Sequence, residues 1–393
     1  MPLPSLRVTP GAFDDTGLGS AAARLSVGVA VDLLGRPGSR HRIPTPALVV
    51  DADALAANID AAQRGADMAG VRLRPHAKTH KSAAVARLQL DAGASGICVA
   101  KVGEAEALAR AGIDDLLVTS PIRPHLVERV ADLRAAGVAV SVVVDHPDVV
   151  PALAGAASTA APLDVLVDVD VGLHRTGVAE PRDAAALAEL VAAQPGLRFR
   201  GVQGYGGHWQ HVADRAERAD AVAAGMRRLV ESVRAIEGTG LTVDRCTGGG
   251  TGTFAVDCEL GVLNELQPGS YAFMDGQYAD ALDGDAAPWR QALFVQATVV
   301  SANHPGFVTV DAGLKAFATD AGHPGASPST YRWFGDEHGL VTQPPDHELR
   351  LGDRLELVPP HCDPTVDRYD LLHVVRNDVL VDVVPIEARG CSQ

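Results

Sequence analysis

Residues 71–101 read VRLRPHAKTHKSAAVARLQLDAGASGICVAK, and this stretch decides the fold class. The short apolar runs at 71–76 and 96–100 predict β-strands, and the alanine-rich segment 79–92 between them predicts a helix. A strand, a helical crossover and a second strand make a βαβ unit, in which the two strands lie parallel in one sheet. The stretch therefore predicts an α/β protein built on a parallel sheet.

The same alternation of strand and helix continues to about residue 270, and eight strands can be counted in it. The remaining predicted strands are 115–119, 139–145, 163–170, 198–205, 243–247 and 264–268, and the helical patterns between them cover 102–112, 122–136, 147–159, 181–194 and 212–237. Eight parallel strands in roughly 250 residues are typical of a (β/α)8 TIM barrel. A doubly wound open sheet is the alternative, but it usually carries a glycine-rich turn after its first strand, where this chain has Pro75-His-Ala-Lys78. The sequence therefore favours the barrel.

After the barrel region the pattern becomes rich in β-strands, with no long helical pattern between them. The β-rich runs are 293–302, 306–311, 349–358 and 371–385. Such a pattern predicts a mostly antiparallel sheet or a small barrel. We therefore expect a barrel domain over 46–270 and a second, β-rich domain formed by 1–45 and 271–393.

The composition limits the classes of partner. The formal charge of -15 makes nucleic acid an improbable ligand, because phosphate binding needs a basic surface. The five scattered cysteines are odd in number, which argues against a disulfide framework and for a reducing compartment. The N-terminus does not resemble a signal peptide, and no apolar run approaches the roughly 20 residues of a membrane span. We expect a cytoplasmic protein without a nucleic-acid or membrane partner.

Two strand ends carry candidate chemistry, since barrel enzymes place their reacting groups at the C-terminal ends of the strands. The loop GGGTGT, residues 248–253, follows the seventh strand, and its amides can converge on a phosphate. Lys78 follows the first strand, with His76, His80 and Lys81 nearby. A lysine that attacks a carbonyl needs a pKa lowered by burial or by neighbouring cations. The alternative for the GGGTGT loop is a simple tight turn without a ligand. The alternative for the Lys78 segment is a basic turn exposed to solvent.

The combination of several motifs resembles a known family. The motifs are TPALVVD (45–51), RPHAKTH (74–80), HRTG (174–177), YGGH (205–208), GGGT (248–251) and HCDPTV (361–366). Together they are similar to the fold-type III pyridoxal-phosphate enzymes, which have an alanine racemase-like barrel. Within that group they look most like the D-threonine aldolase and D-serine dehydratase branch, and the resemblance runs from about Thr45 to the C-terminus.

The resemblance implies a role for each matching position in holding pyridoxal 5'-phosphate. Lys78 would bind the cofactor as a Schiff base, and Arg175 would face the pyridine nitrogen. A guanidinium is always charged and cannot accept a proton, so it would keep that nitrogen largely unprotonated. The other implied cofactor-binding residues are Tyr205, Gly249, Gly250, Thr251 and Tyr278.

The resemblance also implies a divalent metal at His361 and Asp363 in the second domain. In an extended segment their i, i+2 spacing would put both side chains on one face and turn Cys362 away. An imidazole and a carboxylate suit Mn2+, Mg2+ or Zn2+. Without the resemblance, a His-x-Asp pair is more often two ordinary surface residues. Aspartate at the third position of the motif matches the aldolase form, whereas the dehydratases tend to carry cysteine there.

The implied activity is retro-aldol cleavage of a D-3-hydroxy amino acid to glycine and an aldehyde. His208 is the candidate base, since imidazole titrates near neutral pH, and His174 is the alternative. A D-serine or D-3-hydroxyaspartate dehydratase, an amino acid racemase and a non-catalytic carrier of the cofactor are the other functions considered. The resemblance further implies a homodimer. The substituent on Cβ and the role of Asp336-Glu337-His338 stay open.

Overall fold

The computed structural model describes residues 32–282, 287–344, 346 and 348–393. Its strands are β1 (Ala47–Asp51), β2 (Arg72–Leu73), β3 (Ile97–Val99), β4 (Asp115–Val118), β5 (Ala139–Val144), β6 (Leu163–Asp168), β7 (Leu197–Gly204), β8 (Arg245–Gly248), β9 (Glu265–Leu266), β10 (Leu293–Ser301), β11 (Phe307–Val310), β12 (Tyr331–Trp333), β13 (Gly339–Thr342), β14 (Arg354–Leu357), β15 (Leu371–Arg376) and β16 (Val379–Pro385). Its α-helices are α1 (Ala52–Ala69), α2 (Ala83–Asp91), α3 (Val102–Arg110), α4 (Val127–Ala135), α5 (Val150–Ala156), α6 (Pro181–Ala192), α7 (Arg215–Glu237), α8 (Phe254–Leu260), α9 (Gly276–Ala281) and α10 (Cys362–Val366). Residues 1–31 of the expected second domain lie outside the described residues.

Eight parallel strands form the first sheet, in the order β2-β9-β8-β7-β6-β5-β4-β3. The two end strands are joined by a parallel bridge between His76 and Cys98, and the Cys98 amide donates to the Pro75 carbonyl at 2.8 Å. All residues of β5 except Ala139 are buried, as expected for a parallel strand covered on both faces. The predicted (β/α)8 class is confirmed, and the C-terminal ends of all eight strands meet at one edge.

The second sheet is mostly antiparallel and has the order β12-β13-β11-β10-β1-β15-β16, with β14 also paired to β10. The predicted run 371–385 is a hairpin, β15 and β16, which turns at Asn377 with φ of 54°. The predicted mostly antiparallel β-rich sheet is therefore confirmed.

Strand β1 pairs with β10 and β15 of the second sheet, although the expected boundary at residue 46 assigns it to the barrel. The sequence carries no linker here because Asp51 ends the strand and at once caps α1. Its carboxylate accepts hydrogen bonds from the amides of Asp53 and Ala54. The chain therefore passes from the second sheet into the first barrel helix without an intervening loop. Over the described ranges, no helix combines the length and apolarity needed to cross a membrane.

Candidate active site

A cavity of about 630 Å³ opens at the edge where the barrel strands end. Each of the eight strands is followed by at least one residue of its wall, from Lys78 after β2 to Gly269 and Ser270 after β9. Of the residues that the sequence proposes for the site, the cavity wall includes Lys78, Arg175, Tyr205, Gly250, Thr251 and Tyr278. The structure thus brings the candidate amine and the glycine-rich loop to one space.

Lys78 points into this cavity and keeps 41% of its side chain exposed there, so a bound ligand can reach its amine. Its Nζ lies 3.2 Å from Oδ2 of Asp363, and this charge raises the pKa of Lys78 above its ordinary value. The expectation of a pKa lowered by burial or by neighbouring cations is wrong, because the charge of Asp363 outweighs the lowering effect of burial. Lys81 pairs with Asp367, and the buried His80 lies 3.2 Å from Gln89.

His76 forms the wall beside Lys78 and is held neutral. Burial lowers the pKa of His76 to about 3, and the charge of Lys78 acts in the same direction. Its Nε2 lies 3.0 Å from the hydroxyl of Thr119, which itself donates to the carbonyl of Val99. His76 therefore adds no positive charge to the cavity across the neutral pH range.

The loop after β8 is held in shape by hydrogen bonds to neighbouring side chains. The amide of Gly250 donates to the Thr253 hydroxyl at 3.2 Å, and the amide of Gly252 donates to Gln210 at 3.0 Å. The hydroxyl of Thr251 accepts the amide of Tyr271 at 2.9 Å. Gly250 and Thr251 line the cavity, so this fixed loop is the candidate phosphate cradle.

Gly249 lies behind the cradle and does not line the cavity among the described residues. It adopts a left-handed backbone with φ of 72°, and a Cβ there would lie 2.4 Å from Oδ2 of Asp257. A side chain at this position would therefore displace the loop. The sequence predicts that Gly249 binds the cofactor, and the structure leaves it only an indirect part in such a site, through the shape of the loop.

We expect Gly249→Ala to raise the dissociation constant of pyridoxal phosphate about tenfold, because the strained left-handed alanine and its contact with Asp257 shift the cradle. Fluorescence titration of the apoenzyme with pyridoxal phosphate measures this dissociation constant. Gly155→Ala is the matched control, since a Cβ at that helical glycine meets nothing within 4 Å. Equal affinities for the two variants would contradict the assignment.

Arg175 and Tyr205 reach the cavity together. The Arg175 guanidinium carbon lies 5.2 Å from the centre of the Tyr205 ring, a cation–π contact. The loop that presents Arg175 is shaped by Asp170, whose Oδ1 accepts the amides of Gly172 and His174 at 2.8 and 3.0 Å. Asp170 thereby fixes His174 in a left-handed conformation and turns Arg175 inward.

The HCD motif does not form the extended segment that the sequence predicts. His361 is extended, but Cys362 begins α10, so the alternation assumed for the three residues is wrong. His361 Nδ1 lies 2.7 Å from Oδ2 of Asp320, while Asp363 reaches across to Lys78. Burial favours the neutral form of Asp363, but the charges of Lys78 and His361 hold its pKa well below the usual range.

At this position the protein offers a metal two candidate ligands, His361 and Asp363. Within the described ranges, no cluster of three or more His, Cys, Asp or Glu side chains is arranged around a common point for a metal. An imidazole and an ionised carboxylate at His361 and Asp363 would leave several positions for water and substrate. That arrangement fits a catalytic metal and does not fit a closed structural site.

His208 does not line the cavity, contrary to its expected role. The short helical turn Gly207–Trp209 directs it outward, where its exposed ring lies 4.8 Å from the Trp209 ring and near Asp170 and His174. His211, three residues later, is also absent from the cavity wall, but its ring centre lies 4.6 Å from that of Tyr278, which lines the cavity. Burial, together with nearby His361 and Lys78, lowers the pKa of His211. The sequence does not single out His211; its candidates for the base are His208 and His174.

Comparison with known families matches two models to the chain. The alanine racemase N-terminal domain matches residues 50–277, and a putative serine dehydratase domain matches residues 292–375. The first covers the barrel and the second covers most of the antiparallel sheet. The resemblance inferred from the motifs is thereby confirmed.

Three similar proteins are named as aldolases. The 3-hydroxy-D-aspartate aldolase of Paracoccus denitrificans (strain Pd 1222) is 40% identical over 92% of this chain and 96% of its own length. The D-threonine aldolase of an Arthrobacter species is 41% identical over 93% of this chain and 98% of its own. The crystal structure of D-threonine aldolase from Filomicrobium marinum superposes with a TM-score of 0.86 at 37% identity, covering 90% of this chain and 98% of that one.

Proposed function

The chain belongs to the alanine racemase-like family of pyridoxal-phosphate enzymes, and on that premise we propose that it is a lyase that cleaves D-3-hydroxy amino acids into glycine and an aldehyde. The observation that carries the proposal is the 3.2 Å contact between Lys78 and Asp363. It joins the candidate amine of the barrel to the candidate metal ligand of the second domain. An enzyme that uses both groups on one substrate needs them this close.

The barrel residues would hold the cofactor at three points. Lys78 would hold it covalently, Gly250 and Thr251 would bind its phosphate, and Arg175 would meet the pyridine nitrogen. Pyridoxal phosphate, when bound, supplies the electron-withdrawing group that makes the carbon–carbon bond breakable. Arg175 stays charged and cannot accept a proton, so it limits that withdrawal and favours bond cleavage over side reactions.

His361 and Asp363 would hold a divalent ion, for which we propose Mn2+, Mg2+ or Zn2+. Such an ion lowers the pKa of a hydroxyl bound to it. The nitrogen and oxygen donors of this pair are compatible with all three ions. The neighbouring Asp320 orients the His361 ring through the 2.7 Å contact at Nδ1, which leaves Nε2 for the metal.

His211 is the residue that we propose to take the proton from the substrate hydroxyl. Its lowered pKa keeps the imidazole unprotonated at neutral pH, which is the form that a base requires. Tyr278, in contact with its ring, has a pKa raised far above the ordinary value by burial and therefore stays protonated. Tyr278 can donate a hydrogen bond in the site but cannot act as the base.

We expect His211→Gln to lower kcat about 100-fold or more, the usual contribution of a positioned base, while His208→Gln changes kcat less than about twofold. The two variants are a matched pair, since the same residue type is changed three positions apart. Steady-state rates with D-threonine measure both. A larger loss of kcat in His208→Gln than in His211→Gln would identify His208 as the base, as the sequence predicts.

Product analysis tests the proposed reaction. The holoenzyme with added Mn2+ is incubated with D-threonine and with D-serine, and glycine, acetaldehyde, ammonia and 2-keto acids are measured. Glycine and acetaldehyde in equal amounts support cleavage, whereas ammonia with a 2-keto acid identifies a dehydratase. L-allothreonine formed from D-threonine, or L-serine formed from D-serine, at a rate that a chelator does not change identifies a racemase.

A further inference from the structure

The cavity wall carries two basic side chains in addition to Lys78 and Arg175. Lys101 follows β3 and Arg123 follows β4, and both line the cavity wall. Both also border a connected space of about 400 Å³ that extends from it. The cofactor contacts proposed above use neither residue.

The order of the barrel strands separates this group from the phosphate cradle. In the ring β2-β9-β8-β7-β6-β5-β4-β3, strand β4 is four strands away from β8 in either direction. Arg123 and Lys101 therefore stand on the far side of the cavity mouth from Gly250 and Thr251. A phosphate in the cradle would therefore lie across the cavity from them, and any anion that they bind must be a different group.

Neither residue has a partner within the described part of the chain. The sequence has four lysines, and the other three are in ion pairs: Lys78 with Asp363, Lys81 with Asp367, and Lys315 with Glu337. Two carboxylates, Asp145 and Asp148, also line this cavity, and among the described residues neither is in an ion pair with Lys101 or Arg123. The Asp145 carboxylate accepts the Gly177 amide at 3.2 Å, and Asp148 lies 3.6 Å from His146.

The backbone that carries Arg123 is fixed rather than mobile. Pro121 and Pro124 flank it, and proline restricts φ at both positions. The amide of Ile122 donates to the Val143 carbonyl at 2.9 Å and ties the loop to β5. The Arg123 side chain is exposed to solvent at the cavity wall, so its guanidinium is accessible to an anion that enters the cavity.

We infer that Lys101 and Arg123 form a carboxylate-binding site for the substrate, separate from the phosphate cradle. The inference rests on the proposed function, since a D-3-hydroxy amino acid always carries an α-carboxylate and some carry a second carboxylate on Cβ. Arg123 can form two parallel hydrogen bonds to a carboxylate, and Lys101 adds a point charge. The two residues are therefore specificity-determining groups for the anionic end of the substrate.

The test uses the holoenzyme with Lys101→Met and Arg123→Met, which keep an apolar stem and remove the charge. Arg227→Met is the control, because Arg227 is exposed on α7 and does not line the cavity. KM and kcat are measured with D-threonine and with D-3-hydroxyaspartate, and the absorption of the bound cofactor verifies that each variant is loaded. We expect KM to rise about tenfold in each cavity variant with a smaller change in kcat, and no rise in the control.

The two substrates distinguish which carboxylate is bound. An equal rise in KM for both identifies the α-carboxylate, and a rise for D-3-hydroxyaspartate alone identifies the carboxylate on Cβ; either result supports the site. KM values that stay at the wild-type level for both substrates, or rise equally in Arg227→Met, overturn it.

Calorimetric binding of malonate to the holoenzyme separates this inference from the proposed reaction. We expect malonate to bind the wild type and the control, and to bind each cavity variant about tenfold more weakly. Malonate that does not bind, or binds all forms equally, overturns the carboxylate site. If neither amino acid is cleaved by the wild type, the proposed reaction fails, while the malonate titration still decides the site.

Discussion

Lys78→Ala is expected to remove the visible absorption band of the bound cofactor and to lower kcat about 1,000-fold or more, because Lys78 is the amine proposed to hold the cofactor covalently. Of the other lysines, Lys81 is buried in contact with Asp367, and Lys101 lines the same cavity but is proposed above to bind a carboxylate of the substrate. Absorption spectra of the purified variant after incubation with pyridoxal phosphate measure the first effect. Steady-state rates measure the second.

Lys315→Ala is the control for this experiment. Lys315 lies on the surface of the second domain, where its side chain is 67% exposed and paired with Glu337. The control should keep the band and the rate of the wild type. A Lys78→Ala protein that retains both the band and the rate would show that another residue holds the cofactor.

Asp363→Asn is expected to lower kcat about 100-fold or more while the cofactor band remains, because it removes one of the two proposed protein ligands of the metal. The carboxylate also has a second effect in the metal-free protein. Its charge is the largest cause of the raised pKa of Lys78. Without that charge the pKa of Lys78 falls, so the cofactor should attach to the apoenzyme variant at a lower pH than to the wild type.

Asp370→Asn is the matched control, since Asp370 lies a few residues further along the same domain and is paired with Arg389 at 2.9 Å. Metal content, measured by elemental analysis after dialysis against Mn2+, should fall in Asp363→Asn only. Full metal content and wild-type kcat in Asp363→Asn would exclude this residue as a ligand.

The strand pattern could be predicted from sequence because each barrel strand is buried on both faces and is therefore a short apolar run. The helix α1 (Ala52–Ala69) was missed, although Asp51 and Gly70 cap its two ends. Strand β1 was assigned to the barrel because its pairing partners, β10 and β15, lie more than 200 residues away in sequence. Such pairing depends on tertiary contacts that no local pattern encodes.

The location of the site could be predicted from sequence, because barrel enzymes carry their reacting groups at the C-terminal ends of the strands. Local turn geometry could not be predicted, and the corrections at the HCD motif and at His208 arise there. Pro364 in the first turn of α10 is compatible with a helix start, a signal that would have argued against an extended HCD segment. For His208 and His211 the sequence held no comparable signal. The direction of each side chain depends on the turn Gly207–Trp209, in which Trp209 is buried.

The loop Asp336-Glu337-His338, whose role the sequence left open, packs against the segment that begins at Gly313. A Cβ at Gly313 would lie 2.4 Å from the His338 amide nitrogen, and the Lys315 amide donates to the Asp336 carbonyl at 3.0 Å. These contacts give the loop a structural role in the second domain. The domain boundaries, the homodimer and the cytoplasmic location stay predictions.

Borohydride reduction of the holoenzyme, followed by peptide mass mapping, tests the role of Lys78 most directly. Reduction makes the link between the cofactor and its amine permanent, so the modified lysine can be located by mass. We predict one added pyridoxyl phosphate group per chain, on the peptide that contains Lys78. The group on a peptide containing Lys101 or Lys315, or no added mass at all, would contradict the account.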